Sequence, residues 1–199
     1  TLAEGKIIVR ESGEKETFVT LDEKKHTLPE NTVMICDAEK AVAVGGIMGG
    51  LNSEVTDVTK NILLEAAYFN ARNVQSSARK IGIISEAGQR FARGADPNSV
   101  QFALDRASAL LAELADGEVL AGTIDVYPSE IHSREVMLEV EPINRLLGTT
   151  LTENEMIDLL ASIDIKVRKG KSIIPTFRPD ITQTADLAEE VGRLFGYDK

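Results

Sequence analysis

Histidine and cysteine, on which most zinc sites and many nucleophilic sites depend, are scarce in this chain. There are two histidines, His26 and His132, and one cysteine, Cys36. Two histidines so far apart supply neither a zinc cluster nor a Ser-His-Asp or Cys-His arrangement. A single cysteine excludes an internal disulfide and is typical of proteins from a reducing compartment. The sequence therefore predicts neither a zinc enzyme nor a hydrolase with a nucleophilic triad.

Long apolar runs and an excess of positive charge are also missing. No run approaches the ~18 apolar residues of a membrane-spanning helix, and no secretory signal opens the chain. The 22 basic residues face 32 acidic ones, which gives a net charge of −10. Overall charge therefore disfavours nucleic-acid binding, and any RNA contact needs a local basic patch or a partner chain. We expect an acidic cytoplasmic protein with no membrane or DNA partner.

The 199 residues, 43% of them hydrophobic, suffice for one large core or two modest ones. Short runs rich in β-branched residues predict strands at 6–10, 16–21, 32–36 and 41–44. The last of them leads into a glycine turn at 45–50, with glycine at four of its six positions. Glycine lets the backbone turn tightly or approach a ligand closely. This turn does not have the GxGxxG spacing of a dinucleotide site.

Helix signals follow this β-rich part. Asn70 predicts the N-cap of a helix that ends at Gly82. Asp96-Pro97 predicts the start of a long amphipathic helix, since its apolar residues recur at i, i+3, i+4 and i+7. We expect this helix to stop at Asp116-Gly117 and a closing strand to follow at 119–124.

Tyr127-Pro128 is the predicted domain boundary, which divides the chain into 1–127 and 128–199. The second part predicts a strand at 136–140, a short helix, and a helix that begins with a capping box of Thr152 and Glu155. A hairpin at 165–174 and a final helix follow. Helices with a hairpin wing resemble a winged helix, a shape found in DNA-binding proteins. No basic residues accumulate on the final helix, which argues against a transcription factor.

Glu65 is the first candidate functional residue. It ends an apolar run at 62–64, and a buried carboxylate is costly unless something hydrogen-bonds to it. One interpretation is that Glu65 accepts a hydrogen bond from a ligand hydroxyl in an apolar pocket. The other is an ion pair with a nearby arginine. The candidate partners are Arg72, Arg79, Arg90 and Arg93.

Acidic residues on the final helix are the second candidate site. Asp186, Glu189 and Glu190 fall, with Arg193, within roughly a third of the helix circumference. Asp180 lies just upstream. Carboxylates grouped in this way suit Mg²⁺, which prefers oxygen ligands and keeps several waters. The alternative is a solvated acidic face near a helix N-terminus, where the helix dipole favours acids.

Two sets of motifs resemble those of a known family. The first set comprises the glycine turn, Leu63-Leu64-Glu65 and the run Arg90-Phe91-Ala92-Arg93-Gly94-Ala95-Asp96-Pro97, and the second comprises Arg178-Pro179-Asp180-Ile181 and the run from Asp186 to Tyr197. The first set resembles the B3/B4 editing domain, and the second the B5 domain, of the β subunit of bacterial phenylalanyl-tRNA synthetase. The motifs occur in the family's order over nearly the whole chain. The resemblance implies an α+β fold, with a mixed-sheet B3/B4 domain followed by a winged-helix-like B5 domain.

The resemblance also implies an activity. In this family the B3/B4 domain hydrolyses tRNA(Phe) mischarged with tyrosine, and a glutamate at the position of Glu65 reads the tyrosine hydroxyl. Gly49 and Ala87 match small residues that line the family's pocket. The B5 acids, here Asp180, Asp186, Glu189 and Glu190, hold a Mg²⁺ shared with the α subunit.

The expected setting is an α2β2 heterotetramer that aminoacylates tRNA(Phe) for protein biosynthesis. ATP is used by the holoenzyme and not bound by this chain, and free tyrosine is the expected editing ligand. The chain starts without a methionine, so we expect an internal fragment. The family's pocket also uses a histidine from an upstream segment, which neither His26 nor His132 replaces. The rival interpretation is a non-catalytic acidic scaffold that packs on a partner subunit, with a purely structural glycine turn.

Overall fold

A computed structural model describes residues 2–198 of the chain. The chain forms two compact units. The first comprises residues 1–95 and 99–120, and the second comprises 96–98 and 121–199. The boundary between the units in this division lies at Leu120 and Ala121, whereas the sequence predicts a domain boundary at Tyr127. The domain limits 1–127 and 128–199 stay a prediction.

The first unit contains six short strands. They are β1 (Ile8–Glu11), β2 (Thr17–Val19), β3 (Lys25–Thr27), β4 (Val33–Cys36), β5 (Ala41–Val44) and β6 (Met48–Gly49). Four of them form a sheet in the order β1-β4-β5-β6, and β2 pairs with β3. The β-rich start is therefore confirmed. β3 is not among the predicted strands, because its residues Lys25, His26 and Thr27 carry no apolar pattern.

Every strand pair in residues 2–198 is antiparallel. A mixed sheet was expected for the first unit, and the α+β class is confirmed without it. The physical reason lies in the connections. A parallel pair needs a crossover of a dozen or more residues, usually a helix. The strands β4, β5 and β6 instead follow one another through short turns.

Three helices complete the first unit: α1 (Ala71–Ile81), α2 (Glu86–Ala92) and α3 (Val100–Ala115). The predicted caps of α1 are confirmed. The side chain of Asn70 accepts a hydrogen bond from the Asn73 amide at 3.1 Å, and Gly82 ends the helix in the left-handed conformation at φ +80°. A short 3-10 turn at Pro97–Ser99 precedes α3, which ends at Asp116.

The predicted closing strand at 119–124 does not form, and the apolar run that ends on Glu65 forms no strand either. Residues 62–65 and 119–124 have no regular secondary structure, and Leu63 and Ile124 are strongly exposed. The helix α3 forms as predicted, but none of its 16 residues is buried. The apolar periodicity therefore predicted the helix correctly. It did not predict that the apolar residues of this helix would remain unburied.

The core of the first unit lies between the four-stranded sheet and α1. Met34, Val44 and Val74 are almost completely buried there. Phe69 meets Phe91 edge-to-face, with the ring centroids 4.9 Å apart. These contacts tie the segment before α1, and α2 itself, to the sheet.

The second unit contains three strands and three helices. They are β7 (Arg134–Met137), α4 (Val140–Leu147), α5 (Glu153–Ala161), β8 (Lys166–Arg168), β9 (Lys171–Ile174) and α6 (Thr184–Phe195). The sheet order is β7-β9-β8. The predicted capping box is confirmed, because the Thr152 amide donates to Glu155 Oε2 at 2.8 Å and the Glu155 amide donates to Thr152 Oγ1 at 3.3 Å. The predicted hairpin β8–β9 and the final helix are confirmed as well.

The core of the second unit is drawn from all three helices and the sheet. Ile143 on α4, Leu160 on α5 and Leu187 on α6 have no exposed surface, and Ile174 on β9 is 1% exposed. A continuous buried cluster of this kind positions the face of α6 that carries the acidic residues. No helix within residues 2–198 is long and apolar enough to cross a membrane.

Candidate functional site

The glycine turn sits at the centre of the first unit. The amide of Gly45 donates to the Val33 carbonyl and the amide of Gly50 to the Val42 carbonyl, both at 2.8 Å. Gly46 takes a φ of +68°, which side chains other than hydrogen disfavour. A Cβ on Gly45 would lie 2.8 Å from Phe69 Cε1, and a Cβ on Gly50 would lie 2.5 Å from Phe18 Cζ. Gly45, Gly46 and Gly50 are therefore required for packing and backbone shape.

Gly49 differs from the other glycines of the turn. A Cβ there would lie 3.1 Å from Leu21 Cδ1, and within residues 2–198 it would approach no other side chain to within 4 Å. Gly49 lines a surface cleft of about 440 Å³. The other residues that line the cleft are Leu21, Gly50, Ser53, Glu54 and Val55. The absence of a side chain at position 49 leaves space in this cleft, and the role of Gly49 in a pocket stays a prediction.

Ala87 lies on α2 and is exposed. The start of α2 is attached to the glycine turn by Ser85, whose Oγ donates to the Ile47 carbonyl at 2.6 Å and accepts from the Gly88 amide at 3.0 Å. Sequence reasoning missed this link. A serine directly before a helix signals an N-cap, but its second bond, to the turn 38 residues earlier, is tertiary.

Glu65 lies in the irregular segment before α1, and the predicted ion pair with an arginine does not form. Its carboxylate has no hydrogen bond or ion pair within residues 2–198, and Arg90 pairs with Glu86 at 3.3 Å instead. Glu65 is exposed, and the surrounding protein removes part of the hydration of its carboxylate. This desolvation raises the pKa of Glu65. The result is an exposed acid that has no hydrogen-bond or ion-pair partner among residues 2–198.

The three predicted pocket residues do not line one cavity in this chain. Gly49 borders the cleft, whereas neither Glu65 nor Ala87 is among the residues that line it. Gly49 and the start of α2 are connected through Ile47 and Ser85. A pocket formed by Gly49, Glu65 and Ala87 therefore stays a prediction.

A prediction follows from the unpaired state of Glu65. We expect Glu65→Gln to stabilise the first unit at pH 7, because it removes a charge that folding desolvates. Since the folded-state pKa is raised, the folded chain binds the proton more tightly. Protonation of Glu65 therefore stabilises the folded state. This contribution to the free energy of unfolding is present below the ordinary pKa of 4.5 and is lost as the pH rises through the raised pKa of the folded state.

Thermal unfolding at pH 7 and pH 4 checks this expectation. The stabilising effect should be seen at pH 7 and should shrink at pH 4. Glu30→Gln is the matched control, because Glu30 is an exposed carboxylate of the same unit. An equal effect of both substitutions would show that Glu65 is an ordinary surface acid.

The acidic residues of the second unit are organised by an arginine. Arg178 donates from Nη2 to Asp180 Oδ2 at 2.6 Å and to Glu190 Oε1 at 2.8 Å. Arg193 donates to Glu190 Oε2 at 2.6 Å. Glu190 is only 7% exposed, so both oxygens of a buried carboxylate are matched by guanidinium groups. We call these four residues the arginine clamp.

The clamp shifts the titration of its acids. Hydrogen bonding from Arg178, and then from Arg193, lowers the pKa of Glu190. Arg178 likewise lowers the pKa of Asp180. Asp186 serves a different purpose, because its Oδ2 accepts from the amides of Thr182 and Gln183 at 2.7 and 3.0 Å and so caps α6. These bonds, with that of Thr182 the largest, lower the pKa of Asp186.

The predicted magnesium ligands are therefore occupied inside the chain. Both oxygens of Asp180 and of Glu190 bind arginine, and one oxygen of Asp186 binds backbone amides. Glu189 is exposed and separate from the clamp. No group of three or more His, Cys, Asp or Glu side chains within the described part of the chain is arranged to hold a metal ion. The donor set as arranged here does not fit Mg²⁺, and the metal stays a prediction for an assembly with a partner subunit.

Comparisons with known proteins identify two domain types in this chain, and the second of them is named after tRNA synthetases. A family model described as the B3/4 domain matches residues 1–116, and one described as the tRNA synthetase B5 domain matches residues 136–197. The chain belongs to the B3/4 domain family. The two domains that the resemblance implied, in this order, are confirmed.

Curated relatives carry a specific name. The chain is 44% identical over 205 residues to the phenylalanine–tRNA ligase beta subunit of Syntrophus aciditrophicus, across 99% of this chain and 26% of that protein. It is 46% identical over 202 residues to the protein of the same name from Geobacter metallireducens, across 99% of this chain and 25% of that protein. The chain thus spans about a quarter of the length of these relatives.

A solved structure is also similar. It is an N-terminal fragment of the phenylalanyl-tRNA synthetase beta subunit from Pyrococcus horikoshii, with 16% identity and a TM-score of 0.44 over 96% of this chain and 56% of that one. A likeness at this level supports no conclusion about the site.

Proposed function

We propose that this chain is the B3/4 and B5 portion of a phenylalanine–tRNA ligase β subunit, and that its first unit removes tyrosine from mischarged tRNA(Phe). The proposal is supported by the similarity to phenylalanine–tRNA ligase beta subunits over 99% of this chain. It is also supported by the exposed carboxylate of Glu65, which has no hydrogen bond or ion pair within residues 2–198 and can accept a hydrogen bond from a ligand. The phenol hydroxyl of tyrosine, which phenylalanine lacks, is a donor of the right kind.

The reaction is hydrolysis of the ester between the tyrosine carboxyl group and the 3′-terminal ribose of the tRNA. Water adds to the ester carbonyl, the bond to the ribose oxygen breaks, and that oxygen takes up a proton. Glu65 holds the phenol hydroxyl, which lies at the opposite end of tyrosine from the ester. It therefore selects the amino acid and is not the general base.

Selection at a second site answers a known difficulty of amino-acid recognition. An apolar pocket for phenylalanine cannot strongly reject an analogue that only adds a hydroxyl. A pocket with a carboxylate favours the hydroxylated amino acid, because the analogue leaves the acid unpaired. The small residue Gly49 leaves room for an aromatic ring at the cleft that it lines.

The proposed setting is an α2β2 phenylalanine–tRNA ligase in the cytoplasm, with the α subunit and tRNA(Phe) as partners. The B5 unit supports the α subunit, and the holoenzyme uses ATP in aminoacylation, which this chain alone does not perform. Mg²⁺ shared with the α subunit is part of this proposal only if assembly frees Asp180 and Glu190 from Arg178. Within the chain they pair with arginine.

Titration with tyrosine and with phenylalanine, followed by NMR, tests the proposed selection. We expect tyrosine to bind more tightly than phenylalanine, and Glu65→Gln to remove about 2 kcal/mol, or about 30-fold, of that difference, as for a hydrogen bond to a charged group. Glu30→Gln is the control for a lost surface charge. A preference for tyrosine that survives Glu65→Gln would remove Glu65 from the proposal.

A second candidate function is favoured by the packing of the glycine turn. Gly45, Gly46 and Gly50 are needed for close contacts with Phe69 and Phe18, so a ligand is not required to explain them. On this basis the chain is a non-catalytic acidic scaffold that packs on a partner subunit. Failure of both amino acids to bind, at concentrations that saturate the assembled ligase, would favour the scaffold.

A further inference from the structure

Positive charge in this acidic chain is concentrated in one segment. Residues 66–95 contain five basic residues and a single acidic residue, Glu86, whereas the remainder contains 17 basic and 31 acidic residues. The five cations lie on α1, on α2 or directly after α2, and these helices pack against each other. They are Arg72, Arg79, Lys80, Arg90 and Arg93. We call them the basic surface.

The geometry of α1 separates this charge from the core. Val74 and Ser77 are buried against the sheet, whereas Arg72, Arg79 and Lys80 are exposed. Residues seven apart on a helix lie on nearly the same side, so Arg72 and Arg79 form one stripe along it. The opposite face of α1 therefore anchors the helix while the stripe remains available.

These cations have few acidic neighbours. The side chains of Arg72, Arg79, Lys80 and Arg93 have no ion pair within residues 2–198, and Arg90 reaches only Glu86, at 3.3 Å and in an exposed position. Exposed pairs of this kind are weak. Unpaired arginines with fixed planar donors suit phosphate oxygens, which they can bind through two hydrogen bonds.

The position of the surface identifies the kind of ligand. α2 is attached to the glycine turn through Ser85 and Ile47, beside the cleft that Gly49 lines. If tyrosine esterified to RNA enters this neighbourhood, the phosphates of the last nucleotides must pass close by. We propose that the basic surface binds the backbone phosphates of the single-stranded 3′ end of tRNA. This inference rests on the proposed function and adds the surface that positions its substrate.

Salt-dependent RNA binding to the 199-residue chain tests the inference. The probes are uncharged tRNA(Phe) and a 5′-labelled single-stranded RNA octamer that ends in the tRNA 3′ sequence, measured by fluorescence anisotropy between 50 mM and 300 mM salt. Each lost phosphate contact lowers the slope of log K against log salt by about 0.7 for single strands. The double substitution of Arg79→Gln with Lys80→Gln should therefore lower the slope by about 1.4 and the affinity at 50 mM salt by about 60-fold.

Lys25→Gln with Lys40→Gln is the matched control, because both lysines are exposed in the same unit and the change in net charge is the same. Thermal unfolding confirms that each variant folds. Equal losses in the control and in the α1 variant would overturn the inference, as would the absence of RNA binding by the unmodified chain at 50 mM salt.

The same samples distinguish this inference from the proposed function. Arg79→Gln with Lys80→Gln should leave free-tyrosine binding unchanged, because free tyrosine carries no phosphate. Glu65-dependent tyrosine binding without RNA binding would overturn only the basic surface. RNA binding through the basic surface without tyrosine binding would support the surface and count against editing.

Discussion

Replacing Arg178 with alanine is expected to lower the free energy of unfolding of the second unit by about 3 kcal/mol, the lower end of the cost of breaking a buried ion pair. The substitution leaves Glu190, only 7% exposed, with a single guanidinium partner. It also releases Asp180, which Arg178 binds through two nitrogens. The loss comes from a buried charge that is only partly compensated, because the remaining partner, Arg193, binds one of its two oxygens and is half exposed.

Methionine methyl signals allow the two units to be followed separately during urea unfolding. Met34 reports on the core of the first unit and Met156 on that of the second, and both are fully buried. Arg145→Ala is the matched control, since Arg145 is an exposed arginine of the second unit. Surface changes of that kind usually fall within about 0.5 kcal/mol. If Arg178→Ala costs no more than Arg145→Ala, the clamp does not stabilise the unit.

The clamp also predicts how acid affects the second unit. The pKa values of Glu190 and Asp180 are lowered by Arg178, so the folded state favours their charged forms. Their contribution is present above the ordinary values of 4.5 and 3.8, and is lost as pH falls through the lowered values. Arg178→Ala should therefore flatten the acid side of the stability curve. An unchanged pH dependence would mean that other acids dominate it.

Gly46→Ala is expected to destabilise the first unit by about 3 kcal/mol, through a left-handed backbone and a steric overlap. Gly46 has a φ of +68°. A Cβ at this position would lie 2.9 Å from Phe69 Cδ2 and 3.1 Å from Val74 Cγ2, both buried in the core. Neither neighbour is the free end of an exposed side chain, so relief requires a shift of the core.

Gly82→Ala separates the two contributions, because Gly82 has a φ of +80° and a Cβ there would meet nothing within 4 Å. Gly82→Ala should lower the free energy of unfolding by about 1 kcal/mol, which is the conformational contribution alone. Unfolding followed through Met34 measures both variants. Equal costs for Gly46→Ala and Gly82→Ala would show that contact with Phe69 and Val74 contributes nothing. Phe69→Leu in the Gly46→Ala background should recover part of the loss, since it removes the nearest ring atoms.

Local signals in the sequence predicted the elements whose stabilising bonds lie within a few residues. The cap of α1 by Asn70 bonds to Asn73, and the capping box of α5 joins Thr152 to Glu155. Each involves a separation of three residues. A pattern that is complete within one turn of helix can be read without knowledge of the fold.

Strands depend on partners elsewhere in the chain, and here sequence reasoning failed in both directions. Residues 62–65 and 119–124 have suitable apolar residues but no pairing partner in the structure, so they form no strand. Lys25–Thr27 has a polar sequence but pairs with Thr17–Val19 and becomes β3. Composition describes only what a strand prefers, whereas its backbone hydrogen bonds require a neighbour.

The sequence by itself determined the α+β class, the capped helices and the order of the two domains, because these depend on local bonding and on recognisable motifs. Only the tertiary structure decided what those residues contact. Within residues 2–198 it left Glu65 without an ion-pair partner although four arginines were candidates, and it placed Arg178, 12 residues away, on Glu190. Which charges meet depends on how distant segments pack around a common core, and spacing along the chain does not contain that information.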